Sequence, residues 1–280
     1  KYLPLSQMKK FPSRVRKLPL RIRKLPARLR KLYYMLGLQS VRAPSLLWSK
    51  GVGDFCDFGG PRWYRLAATE STQPGSFFRQ HYAEAHGLIW LRLSSLAREG
   101  RTCDLDTFVE VALPTIGKPF VLITTDGDAS FPSELRAETV TALRRHPLLV
   151  AWYSQNCDGS HSKIRPFPIG IDLHTPRDFF SPSKMAAFFQ ELGHDAAPTR
   201  MRPLKVFCDL NLVPSKERRE AVDALRDCAH VEFAVSRVSQ RAIWERYARY
   251  PLVLSTHGNG LDSHRTWELL YLGCIVVTKT

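Results

Sequence analysis

No apolar run in this 280-residue sequence approaches the roughly 20 residues a helix needs to span a bilayer. The basic amino terminus also lacks the following apolar stretch of a secretory signal peptide. A cytoplasmic location, or a peripheral one on a membrane surface, is therefore expected. The six cysteines, Cys56, Cys103, Cys157, Cys208, Cys228 and Cys274, contain no CxxC pair and no clustered histidines that would complete a zinc site. Their scatter favours buried free thiols over a disulfide framework. Acidic residues are missing altogether from residues 1–42, which hold 13 of the 41 Lys and Arg. The rest of the chain carries 28 basic against 26 acidic side chains, so the net charge of +15 belongs almost wholly to the amino-terminal segment. A nearly neutral body argues against a general nucleic-acid-binding surface, and no specific nucleic-acid partner is expected.

What is present is a mixed composition, 44% apolar and 24% charged, long enough for two domains of ordinary size. The start at Lys1 and the end at Thr280, directly after the apolar run Cys274–Val277, suggest a piece of a longer protein. Residues 1–43 contain a seven-residue repeat: Arg14-Val-Arg-Lys-Leu-Pro19-Leu, Arg21-Ile-Arg-Lys-Leu-Pro26-Ala and Arg28-Leu-Arg-Lys-Leu-Tyr33-Tyr. Pro19 and Pro26 interrupt a helix in the first two units. Bases interleaved with Leu, Ile and Tyr over residues 9–33 suit an anionic membrane surface, and a solvated leader of the same composition is the other reading.

From about Pro44 onward, short apolar runs alternate with helical patterns, the signature of α/β units with parallel, helix-covered sheets. Strands are predicted at 87–93, 120–124, 148–153, 204–208, 230–234, 252–255 and 274–278. Helices are predicted at 105–113, 132–145, 183–192, 215–228, 239–250 and 263–272. The firmest helix is 215–228, with Ser215 as cap and Ala221, Val222, Leu225 and Cys228 on one apolar face. The polar stretch 193–203 separates two sets of strands. An amino-terminal domain over 44–195 and a carboxyl-terminal one over 196–280 are expected.

Ligands of open α/β sheets sit beyond the carboxyl ends of strands, where loops turn into helices whose amino termini favour anions. After Leu252-Val253-Leu254 comes a dense polar run of that kind: His257, Gly258, Asn259, Gly260, Asp262, Ser263, His264, Arg265 and Glu268. The two glycines permit close approach of backbone to a diphosphate, and Asn259 tolerates left-handed conformations. Arg265 lies one turn before Glu268, which offers a guanidinium for phosphate and a carboxylate for ribose hydroxyls on one helix face. A capped helix start, with Asp262 or Ser263 as the cap and Arg265 paired to Glu268, is the plainer alternative.

The stretch from His257 to Ile275 resembles the donor-binding motif of exostosin-like glycosyltransferases. That pattern ends in an Arg, a Glu and a Gly-Cys-Ile-Pro run; Arg265, Glu268 and Gly273-Cys274-Ile275 match, while Val276 stands where the Pro is expected. Weaker likeness extends through Val206–Arg219, Trp152–Asn156 and Pro168–Asp172. The resemblance implies two Rossmann-like domains facing a cleft, the GT-B type, preceded here by the basic arm. It also implies inverting, usually metal-independent transfer from a nucleotide sugar to a glycan or other hydroxyl acceptor, with no cofactor.

Such a transfer requires a base to deprotonate the acceptor hydroxyl. Asp126 and Asp128, in Thr124-Thr-Asp-Gly-Asp after a good strand, are the leading candidates, and His161 is a third. The Asp-Gly-Asp spacing also admits a divalent metal held against the donor diphosphate, which is not favoured, or a structural turn. Asp172 and His174 follow the next apolar run and would edge the same cleft. The helix containing Trp244 and Tyr247 is expected to be core. The alternative function is a membrane-associated binding or scaffold protein with an inactive glycosyltransferase-like fold.

Overall fold

In the computed structural model the described residues are 46–175, 182–210 and 216–278. The basic arm and its proposed membrane contact, and the Ser215 cap, lie outside them. The predicted apolar runs form β1 (Gly87–Arg92), β2 (Phe120–Thr125) and β3 (Leu149–Ser154), joined by a short β4 (Ile164–Pro166). All pair in parallel in the order β1-β2-β3-β4, with Gly87 opposite Phe120 and Trp152 opposite Ile164. Helices α1 (Arg62–Leu66), α2 (Gly75–Tyr82), α3 (Asp104–Val111) and α4 (Ala137–Arg145) accompany this sheet. Side chains from both strands and helices, including Phe78, Trp90, Phe108, Leu122 and Trp152, are fully buried in one cluster. That explains why these strands read as continuous apolar runs and not as alternating ones.

The second half repeats the plan. β5 (Val206–Cys208), β6 (Val231–Phe233), β7 (Leu252–Leu254) and β8 (Ile275–Val277) form a second parallel sheet in the order β6-β5-β7-β8. Helices α5 (Pro182–Asp195), α6 (Lys216–Leu225), α7 (Gln240–Tyr247) and α8 (His264–Tyr271) go with it. The molecule thus contains two Rossmann-like α/β sheets. Among the described residues no helix is long and apolar enough to cross a membrane. All six cysteines are free thiols, three of them buried.

Two features depart from the sequence reading. α5, expected to close the first domain, packs Met185, Ala186 and Phe189 into the second core, with the Phe189 ring 4.6 Å from that of Trp244. The same core takes Leu46, Trp48 and Leu66 from the start of the described chain, so the two halves exchange material. Trp48 pairs with Gly170, where a Cβ would lie 2.2 Å from the Leu47 carbonyl oxygen; only glycine fits this crossing. α4 begins at Ala137, five residues later than expected, because Arg136 is extended and residues 130–135 close turns of their own, with Glu134 accepting the Ser130 amide at 2.6 Å. β4 and α1, of three and five residues, are too short to show a period; α2, as long as α3 and with Phe77, Phe78 and Tyr82 buried on one face, is a helix the sequence reading missed.

Candidate functional site

The loop after β7 runs from Ser255 to Ser263 and enters α8. Its tip is a tight turn, with the Gly258 amide donating to the Gly260 carbonyl at 3.1 Å. Gly260 sits against the first half: a Cβ there would lie 2.6 Å from Asn156 Nδ2. Arg218 of α6 clamps the base of the loop by donating through Nε (3.1 Å) and Nη2 (2.9 Å) to the His257 carbonyl.

Asp262 is a knot and not a free ligand. Oδ1 accepts from the Ser263 amide and from Trp267 Nε1, both at 2.8 Å, and Oδ2 accepts from the Ile169 amide at 2.8 Å. Its own amide donates to Asn156 Oδ1 at 2.8 Å, while Asn156 Nδ2 donates to the Gly127 carbonyl at 2.9 Å. One buried carboxamide therefore joins the glycine loop after β7 to the Asp126-Gly127-Asp128 turn after β2. Asn156 holds a left-handed conformation, φ 54°, which Asn tolerates better than most residues.

These contacts frame a cavity of about 380 Å³. From the second half it is lined by Gly258, Asn259, Gly260, Asp262, Ser263, His264, Arg265 and Glu268, and from the first by Asp128, Asp172 and His174. Arg265 Nη2 lies 3.3 Å from Asp209 Oδ2, which also accepts from the Tyr247 hydroxyl at 2.8 Å. Burial lowers the Arg218 pKa, and the neighbouring charge of Arg265 lowers it further, so two guanidinium groups stand close together at this end of the sheet. Glu268 is buried on the α8 face that lines the cavity. Tyr247, expected to be core, is indeed buried but also reaches the cavity wall.

The structure separates the remaining candidates. His257 does not line this cavity; it borders a second one of about 480 Å³ with Glu217, Glu220 and Thr256, its Nδ1 3.7 Å from Glu217. Asp126 is buried, with Lys50 Nζ at 2.6 Å and Arg92 Nε at 3.4 Å, and Arg92 in turn lies 3.5 Å from Asp104. That arrangement is a buried charge cluster under the turn and suits no base. His161 lies on the loop before β4, its Nδ1 accepting from the Lys163 amide at 3.2 Å, and is not part of the cavity lining. The Asp-Gly-Asp turn does not present its two carboxylates together, since Asp126 points into the cluster while Asp128 lines the cavity.

Asp209 and Asn156 gave little sequence signal. Asp209 directly follows a three-residue strand, and a single acid there is unremarkable until Tyr247 and Arg265 are seen to converge on it. Scans of the sequence against protein-family models and against curated proteins find no match.

Proposed function

We propose that this chain is a glycosyltransferase of exostosin-like, GT-B type that moves a sugar from a nucleotide-sugar donor to an acceptor hydroxyl. The observation that carries the reading is the shared cavity, in which the Gly258-Asn259-Gly260 loop, Arg265 and Glu268 meet Asp128 from the other half. In this reading the diphosphate rests against the glycine loop and the amino terminus of α8, whose amides favour anions. Arg265 stabilises charge growing on the leaving nucleotide, and Glu268 accepts hydrogen bonds from the ribose. Asp128 is the base for the acceptor hydroxyl, displacing Asp126 and His161 from that role on grounds of position.

A binding or scaffold protein of the same architecture is favoured by one observation: of the paired acids only Asp128 borders the cavity. A panel of nucleotide sugars, assayed with the full chain for transfer and for hydrolysis, distinguishes the two. Turnover of at least one donor is expected. Binding of UDP or GDP without any turnover would favour the scaffold reading, and absence of both would overturn the donor site.

A further inference from the structure

We propose that Asp172, His174 and His264 bind a divalent transition-metal ion of the zinc class at the wall of this cavity. One ligand atom from each of the three lies within 4.8 Å of the others. Bonds of about 2.0–2.2 Å to a tetrahedral ion place ligand atoms about 3.3 Å apart, so the three side chains would draw together by up to about 1.5 Å to close on the ion. The ligands come from two segments held together independently of any ion, through the Asp262 carboxylate and the Ile169 amide.

Each imidazole has a ring nitrogen to offer an ion. His264 Nδ1 lies 2.7 Å from the Gly170 carbonyl oxygen, which can only accept. The proton therefore sits on Nδ1, and the lone pair of Nε2 is left for an ion; this is how a carbonyl commonly orients a metal-bound histidine. Among the described residues His174 Nδ1 is buried with no hydrogen-bond partner. Asp172 Oδ1 is 3.4 Å away but already accepts from the His174 and Thr175 amides at 3.3 and 3.0 Å, and its geometry toward the ring makes no hydrogen bond. A buried polar atom left unsatisfied calls for an explanation, and a shared ion supplies one.

The donor set selects the metal. Two imidazoles and one carboxylate suit zinc, cobalt or similar ions, whereas magnesium and calcium prefer oxygen throughout. Three protein ligands leave a position open, and the cavity contains the glycine loop on the same wall. Resting on the proposed function, that open position would take a diphosphate oxygen. The ion site itself does not depend on it.

The test uses the full chain, stripped with chelator and titrated with cobalt(II), whose visible absorption reports coordination, and with zinc(II) by calorimetry. One ion per chain is expected, with zinc displacing cobalt and magnesium failing to do so. His174→Gln and His264→Gln should each weaken binding at least about tenfold, while their metal-free circular dichroism matches wild type. If either variant does not fold, the histidine ring-proton resonances of wild type substitute: two imidazoles, and only two, should shift on adding zinc. No stoichiometric binding by wild type, or unaltered affinity in both folded variants, would overturn the site. UDP titrated into stripped and loaded protein is a separate arm; metal binding without UDP binding leaves the ion site standing and removes the donor reading.

Discussion

Asn156 accepts a hydrogen bond from the Asp262 amide at 2.8 Å, and this contact ties residues 106 positions apart across the two sheets. Because the same carboxamide donates to Gly127, removing it should loosen both loops at once. Asn156→Gly keeps the left-handed backbone and deletes only the side chain. A loss of about 1–3 kcal/mol in stability is expected, with weakened UDP binding. Gly260→Ala places a methyl group within 3 Å of the carboxamide and should reproduce the binding defect. Unchanged UDP titrations in both variants would show that the bridge has no part in shaping the cavity.

Asp126 and Asp128 are two residues apart and should fail in opposite ways. Asp126→Asn removes the carboxylate charge 2.6 Å from Lys50, itself only 5% exposed, and a loss of about 3–5 kcal/mol is expected. Asp128→Asn should lower turnover, with donor affinity retained. Chemical denaturation beside steady-state kinetics separates the two; full activity of the folded Asp128→Asn protein would move the base elsewhere.

Arg265→Ala should depress turnover strongly, since the charge it is proposed to meet grows only as the glycosidic bond breaks. Glu268→Ala should chiefly weaken donor binding, by about 1–3 kcal/mol if its hydrogen bonds are charge-assisted. Losing Arg265 also removes the cation beside Asp209, so thermal melts must accompany the kinetics. Equal destabilisation of both variants with undiminished binding of UDP and GDP would mean that the residues only hold α8 in place.

Asp104 offers a test through pH. Burial raises its pKa to about 6, against the opposing pull of Arg92. The folded state therefore holds this proton more tightly than the unfolded chain. The resulting stabilisation is complete below the unfolded value near 4 and is lost as pH rises through about 6. Asp104→Asn does not titrate and keeps an acceptor for the Gln73 amide. The stability of wild type relative to this variant should fall by up to about 3 kcal/mol between pH 4 and pH 7. A difference that stays constant, or rises with pH, would show that Arg92 compensates the buried carboxylate fully.

The alternation of apolar runs and amphipathic stretches made seven of the strands and six of the helices legible, because a parallel sheet covered by helices demands continuous apolar strands. The glycine loop was legible for a similar reason: its polar density followed a strand and opened a helix. β4 and α1 were not, being short pieces stabilised by contacts instead of by their own period; α2, eight residues like α3, was passed over despite the apolar face of Phe77, Phe78 and Tyr82. The place of α5 was also hidden, since its apolar face fits either core equally well until Phe189 meets Trp244.

Sequence alone determined the α/β class, the segregation of charge into residues 1–42 and the run from Gly258 to Glu268 as the place to look, since local pattern and composition suffice for these. Only the tertiary structure decided which acid of the Asp-Gly-Asp turn is buried, that His257 leaves the cavity, and that Asp172 and His174 come beside His264. Those outcomes depend on partners about 40 to about 90 residues away along the chain, Glu217 for His257 and Lys50 for Asp126 among them, and no local pattern encodes which distant charge or carbonyl a side chain will meet.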